Sequence, residues 1–285
     1  MKKLLITDLD NTLYDWVSYY ALSFDAMLNE LVLITSIEKS LLLQEFKLIH
    51  QRHGNIEHPF AALELPSLIK YFNTNNKDHL RERLDPAFHA FNSMRKKTLY
   101  CYPLVEDTLK KLHQQGVKIV AHTEAPIRNA VYRLEKLDLK KYTNHLYAPA
   151  DRFIDELDPS SKKWIDSYGD YVVLLKENEK KPNPELLLDI CKKENISPSD
   201  AIYVGDSLIK DITMANDAGI TSVWSRYGKQ HNKTYWEILV SITHWTKEDV
   251  IREENLKNAS LEVKASYSID SFEEVERFFA CDSLS

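Results

Sequence analysis

Short apolar runs, each followed by a segment of helical periodicity, recur along most of this chain and leave few architectures open to it. The first run spans residues 3–7, is rich in Leu and Ile, and ends at Asp8. Others lie at residues 117–121, 201–204, 220–224 and 265–269, with weaker ones at 145–148 and 171–175. Runs this short, bounded by turn residues, fit strands buried on both faces. Helical segments at residues 104–115, 126–137, 184–193 and 208–218 separate them. Gly116 and Gly219 close two of these helices, and Pro126 and Pro184 open two others. A first helical turn tolerates proline, and glycine suits the residue past a helix end. Strand alternating with helix in this way gives the α/β class with a doubly wound parallel sheet.

Residues 15–98 break the alternation. They read as helices at 16–33, 36–53, 60–71 and 77–94, with polar breaks at 52–54 and 73–76 and no convincing strand. An all-helical block between the first and second strands is expected to be an inserted domain. Residues 1–14 and 99–285 then form the α/β core. The charged, irregular stretch at 229–263 is expected to cover the sheet edge.

Charge and cysteine usage exclude several classes. The formal net charge is −6, from 37 basic and 43 acidic residues, so nothing favours a nucleic-acid polymer as partner. Cys101, Cys191 and Cys281 are odd in number and widely spaced, which argues against a disulfide framework and a zinc site and fits a reducing cytoplasm. The apolar run after Met1-Lys2-Lys3 stops at Asp8, too short for an export signal. No uninterrupted apolar stretch approaches the roughly 18 residues of a membrane span, so no membrane partner is expected. Monomer and homodimer both suit this composition.

Four features carry chemistry. In an α/β sheet, ligands bind outside the carboxyl ends of the strands. The first feature, Asp8-Leu9-Asp10-Asn11-Thr12, sets two carboxylates at such an end. They offer oxygen ligands to a hard cation such as Mg²⁺. One can act as a nucleophile and the other as a general acid and base, although a solvated acidic turn has the same sequence. The second is Thr123, just past the run at 117–121, where a hydroxyl and the following backbone N–H groups can meet a phosphate oxygen or simply cap a helix. The third is Lys181 in Lys-Pro-Asn-Pro-Glu-Leu-Leu, preferred to Lys180 because it directly precedes Pro182. The fourth is Gly205-Asp206-Ser207-Leu208-Ile209-Lys210-Asp211 after the run at 201–204. Asp206 leaves the sheet at the same end as Asp8, either to complete a metal site or to cap the next helix.

In this order the four resemble the haloacid dehalogenase superfamily, whose pattern is DxDx[TV], a Thr or Ser after a strand, a Lys, and a strand ending in GDxxxxD. The resemblance spans residues 2–224. It implies a phosphomonoester hydrolase of the helical-capped kind, working through an aspartyl-phosphate on a small phosphorylated metabolite. Asp8 would be nucleophile and metal ligand. Asp10 would be general acid and base, its backbone carbonyl reaching the metal. Thr123 and Lys181 would bind the phosphoryl group, Asp206 would bind Mg²⁺, and Asp211 would support the site. The helical block would be the family's mobile cap, which excludes water during the first step.

Three departures stand out. Asn11 follows Asp10 where Gly is frequent. Glu124 follows Thr123 and puts a carboxylate beside a site for anions, either turned away or selecting a cationic part of the substrate. The segment at 148–180 is long, carrying Asp151, Asp155, Glu156, Asp158, Trp164 and Tyr168. It is either an extra element at the site mouth or a solvated loop. Both Asp10 and Asp206 are kept, which argues against the superfamily's carbon-halogen chemistry. A phosphomutase would share every motif, and a non-catalytic binding protein can use the same fold. The Asn-Thr-Leu-Tyr-Asp stretch at 11–15 resembles members that act on nucleoside monophosphates, while other members with a similar helical cap act on phosphoglycolate or sugar phosphates; Tyr14, Asp15, Trp16 and Tyr19 are candidate selectors or simple packing residues.

Overall fold

The computed structural model describes residues 1–58, 61–150, 159–176, 179–246, 248, 251 and 263–280. The chain divides into two compact units, one of Met1–Asp15, Tyr100–Gln230 and Lys257–Ser285, the other of Trp16–Leu99 and His231–Leu256.

The first unit begins with β1 (Leu4–Thr7), whose four residues are all buried. The chain then enters the helical unit through α1 (Trp16–Thr35) and α2 (Lys39–His53). A single turn at Ala61–Glu64 precedes α3 (Pro66–Tyr71), α4 (Lys77–Arg83) and α5 (Asp85–Thr98). α1 packs along α5, and Phe24 meets Phe46 of α2 edge-on at 4.9 Å. One helix is expected over residues 77–94, but the chain breaks at Leu84. Pro86 cannot donate to the turn before it and disfavours helical geometry in its predecessor, so a new helix starts there. Pro66 likewise splits the expected helix at 60–71. α1 reaches a mean hydropathy of 1.2 over 18 residues, long and apolar enough to cross a membrane by composition alone, although Asp25 and Glu30 interrupt its apolar run. Half of that window is buried inside the protein.

Back in the first unit come α6 (Val105–Gln114), β2 (Lys118–His122), α7 (Ile127–Lys136) and β3 (His145–Pro149). α8 (Pro159–Asp166), β4 (Val172–Leu175), α9 (Pro184–Glu194) and β5 (Ala201–Gly205) follow. A wide π-type turn over Leu208–Ile212 leads into α10 (Thr213–Asp217), then β6 (Thr221–Ser225). The chain returns to the helical unit with α11 (Lys233–Ser241) and rejoins the sheet with β7 (Tyr267–Ile269), after which a short helical segment spans Phe272–Phe278.

The strands form one seven-stranded sheet in the order β4-β3-β2-β1-β5-β6-β7, and every pairing is parallel. Thr7 stands opposite Ala121 on one side and Val204 on the other. The chain winds outward from β1 through β4, then restarts beside β1 at β5. The strand order therefore reverses between β1 and β5, which opens a crevice at their carboxyl ends. Leu4, Ile6, Val120, Tyr203 and Leu187 pack on one face of the sheet as a continuous core.

The stretch at 229–263 was expected against the sheet edge within the core. Instead α11 packs with α1 in the helical unit, and β7 takes the sheet edge beyond β6. The end of α11 is held by polar bonds, His50 Nδ1 donating to the Ile242 carbonyl at 2.8 Å and Gln51 to that of Trp245 at 3.0 Å. In the long segment before Lys181, Trp164 meets Tyr168 edge-on at 5.0 Å, and the Tyr168 hydroxyl donates to Glu135 of α7 at 2.7 Å. The described part is an added element, α8 and the edge strand β4, the latter paired with β3 as expected for 171–175, and Tyr168 ties it to α7. Asp151, Asp155, Glu156 and Asp158 lie outside the described residues.

Candidate active site

The site grows from the turn that follows β1. Asp8 is the first residue beyond the strand, and its N–H donates to the Val204 carbonyl at 2.9 Å, holding it to β5. The chain then doubles back. Leu13 N–H reaches Leu9 O at 2.8 Å, and Asn11 N–H reaches Tyr14 O at 2.9 Å. This turn puts Asn11 at φ +57°, in the left-handed region. Asparagine tolerates that region better than other residues bearing a side chain, which explains how Asn11 replaces the family's frequent glycine. Thr12 Oγ1 donates to Asp8 Oδ2 at 3.0 Å, and the Tyr227 hydroxyl fixes the Thr12 carbonyl at 2.7 Å.

Lys181 arrives from the loop before α9 with its side chain 3% exposed. Its ammonium donates to Asp8 Oδ1 at 2.5 Å and to Asp211 Oδ1 at 2.9 Å. Asp211 sits in the π-type turn after β5, a rare geometry that recurs at functional sites. Its Oδ2 accepts the Ser207 N–H at 3.1 Å, and its Oδ1 also accepts the Tyr203 hydroxyl at 3.2 Å. Gly205 makes this approach possible, since a Cβ there would lie 2.4 Å from Asp211 Oδ2. Asp206 pairs with Lys229 at 3.0 Å, while its carbonyl accepts Trp224 Nε1 at 2.9 Å. Gly228 lets the Lys229 turn close, because a Cβ there would sit 2.0 Å from the Asn11 carbonyl oxygen.

The structure thus brings together Asp8, Lys181, Asp206 and Asp211. One carboxylate oxygen from each of the three aspartates lies within 4.8 Å of the others. Asp10 is turned toward Arg133 of α7, which donates to its Oδ1 at 2.9 Å. Thr123 lies past the end of β2, the strand beside β1, and is 1% exposed. Its Oγ1 accepts the Ala125 N–H at 3.0 Å, and its own N–H donates to Tyr147 O at 3.0 Å. The carboxylate of Glu124 accepts from Lys210 at 2.7 Å, so its charge is already matched.

The electrostatics favour a cation. Burial, reinforced by Asp211, Asp206 and Asp10 against the pull of Lys181, raises the Asp8 carboxyl well above the usual aspartate range. Burial also raises Asp206, with Lys229 opposing it. Burial works to lower the Lys181 ammonium, but Asp211 and Asp8 outweigh it and hold it well above the usual lysine range. Three buried carboxylates face two ammonium groups, and a further positive charge is what would keep all three ionised. An all-oxygen cluster of this kind suits a hard divalent ion.

Arg133, Lys229, Tyr203 and Gly228 escape the sequence reading. Arg133 left a signal. It lies three residues after Ala130 and four before Leu137, at the edge of the apolar stripe of α7, where a charge calls for a buried partner.

The model of the haloacid dehalogenase-like hydrolase family matches residues 2–219. A phosphoglycolate phosphatase of Pseudomonas syringae pv. tomato is 28% identical over 240 residues, covering 82% of this chain and 72% of that one. A glyceraldehyde 3-phosphate phosphatase of Pyrococcus furiosus is 26% identical, over 80% of this chain and 82% of that one. The crystal structure of 2-haloacid dehalogenase from Pseudomonas syringae pv. Tomato DC3000 superposes with a TM-score of 0.54 at 17% identity, covering 98% of each chain, a likeness of fold. With the family match running from the first strand through the turn bearing Asp206 and Asp211, this chain belongs to the haloacid dehalogenase-like hydrolases.

Proposed function

We propose that this protein is a magnesium-dependent phosphatase of small phosphorylated metabolites, working through an aspartyl-phosphate at Asp8. The observation that carries the reading is the buried placement of Asp8, bound by Lys181 at 2.5 Å and clustered with Asp206 and Asp211.

Asp8 attacks phosphorus, and the ester P–O bond breaks as Asp10 gives a proton to the leaving oxygen. Asp10 then takes a proton from water, which attacks the aspartyl-phosphate and releases inorganic phosphate. Lys181 and Thr123 hold the phosphoryl oxygens, and Asp211 keeps Lys181 in place through its 2.9 Å contact. Asp8, Asp206 and the Asp10 backbone carbonyl would hold Mg²⁺. When bound, it supplies positive charge that lets an anionic nucleophile approach an anionic phosphoryl group. Three cysteines without a pairing pattern support a cytoplasmic setting.

The relatives named for phosphoglycolate and glyceraldehyde 3-phosphate support a short-chain phosphomonoester as substrate. The expectation of a nucleoside monophosphate rests on residues 11–15 alone, and a panel tests it. Phosphate release is measured from p-nitrophenyl phosphate, phosphoglycolate, glyceraldehyde 3-phosphate and nucleoside monophosphates, in Mg²⁺ and in EDTA. Release that requires Mg²⁺ and vanishes in Asp8→Asn supports the reading. No release from any of them in Mg²⁺, or equal release by Asp8→Asn, refutes it.

A further inference from the structure

A second cluster of ligand atoms lies in the helical unit and is built from different chemistry. His53 is the last residue of α2, and Gly54 follows it at φ +62°, reversing the chain. The returning loop is fixed at several points. Asn55 Oδ1 accepts the Glu57 N–H at 2.8 Å, the Tyr20 hydroxyl donates to the Ile56 carbonyl at 2.5 Å, and Trp16 Nε1 donates to Glu57 at 2.5 Å. That loop carries the His58 ring back over His53, where the two imidazoles stack with centroids 3.9 Å apart and planes 27° from parallel. Glu64, closing the single turn Ala61–Glu64, presents its carboxylate to both. His53 Nε2 lies 3.0 Å from Oε2, and His58 Nε2 lies 3.2 Å from Oε1.

We infer that His53, His58 and Glu64 form a site for a zinc-class transition-metal ion, separate from the aspartate cluster and built without cysteine, so that the cysteine spacing counts only against a thiolate zinc site. Zinc binds imidazole nitrogen and carboxylate oxygen at about 2.0–2.2 Å, so two ligands of one tetrahedral ion lie about 3.3–3.5 Å apart. Each imidazole nitrogen faces a different oxygen of Glu64, at 3.0 and 3.2 Å, so a shift of the carboxylate by a few tenths of an ångström lets one or both oxygens share an ion with the two nitrogens. One ligand atom from each residue already lies within 4.8 Å of the others. Two nitrogen donors select a borderline ion over Mg²⁺, whereas the all-oxygen aspartate cluster has the opposite preference. His58 is fully buried at its side chain, while His53 and Glu64 keep 18% and 17% exposure, which leaves a way in. Arg52 also pairs with Glu64 Oε2, but its side chain is 59% exposed and can swing into solvent. The ion would staple the end of α2 to the loop and turn that follow it.

The test uses untagged full-length protein saturated with Mg²⁺ and titrated with Co²⁺, whose visible absorption is strong in four-coordinate sites. One equivalent bound with that absorption supports the site. Because loss of outer-shell partners alone costs about 10–100-fold in metal affinity, His53→Gln and His58→Gln are each expected to weaken binding by about 100-fold or more. Arg52→Gln removes a competing cation and is expected to tighten it about two- to fivefold. Wild-type protein that takes up no such equivalent overturns the inference, as does folded His58→Gln that binds Co²⁺ unchanged. If the histidine variants fail to fold, the wild-type spectrum and the Arg52→Gln shift decide it alone.

Discussion

The guanidinium of Arg133 lies against the carboxylate of Asp10, Nη1 to Oδ1 at 2.9 Å, from a side chain that is 1% exposed. The same guanidinium stands 5.9 Å from the centre of the Tyr14 ring. Asp10 is thereby aimed by a residue with little freedom to move. Misplacing a reacting group by about 1 Å can cost on the order of 100-fold in rate. Arg133→Met is therefore expected to lower kcat by about 10–100-fold with KM little changed, and Arg133→Lys to recover part of the loss. Steady-state kinetics on the best substrate of the panel checks this. Equal losses in the Met and Lys variants, entirely in KM, would remove the positioning role.

Asp8 and Asp211 share the single ammonium of Lys181 in a nearly dry setting. Removing one partner of a buried pair typically costs about 3–5 kcal/mol, because the other charge is left uncompensated. Lys181→Met is expected to lose activity and to unfold at markedly lower urea. Added Mg²⁺ should restore part of the stability, since a cation at the aspartates replaces part of the missing charge. Urea titrations with and without Mg²⁺ read both effects.

Gly228→Ala tests the close approach of the Lys229 turn to the turn after β1. The new methyl would fall 2.0 Å from the Asn11 carbonyl and 2.8 Å from Asp206 Cβ, and the first of these atoms is backbone. Small-to-large strain of this kind costs about 1–3 kcal/mol. A drop in both thermal stability and Mg²⁺ affinity is expected, whereas Gly169→Ala, which meets nothing within 4 Å, should leave Mg²⁺ affinity unchanged.

The helical unit should weaken in mild acid through His50. Burial lowers this imidazole to about 4, with the Ile242 carbonyl opposing the shift. Its folded value is below the roughly 6.5 of an unfolded histidine. The stabilisation is therefore complete above about pH 6.5 and is lost as pH falls toward 4. His50→Asn keeps a donor near the Nδ1 position but cannot titrate. Its melting temperature should vary less between pH 7 and 5 than that of the wild type, as differential scanning calorimetry would show.

Much of this was legible in the sequence because three of the four motifs lie where an apolar run stops, and the fourth, around Lys181, lies where two prolines open a helix. Seven short runs mark seven strands, and Asp8, Thr123 and Asp206 each follow one directly. What escaped was set by contacts across the chain. Arg133 reaches Asp10 over 123 positions, and nothing local ties Lys229 to Asp206. Helix breaks at Pro66 and Pro86 were readable but lay inside runs whose periodicity continues past them. The placement of α11 depends on His50 and Gln51, almost 200 residues earlier, and no periodicity encodes such a partner.

The central claim is that Asp8 becomes phosphorylated during turnover. Protein quenched in mid-turnover and treated with borohydride, which reduces an acyl phosphate to homoserine, can be read by peptide mass spectrometry. Homoserine is expected at position 8 in Mg²⁺-loaded protein with substrate, and none in EDTA. Steady phosphate release with residue 8 unmodified, or the mark appearing on another carboxylate, would contradict it.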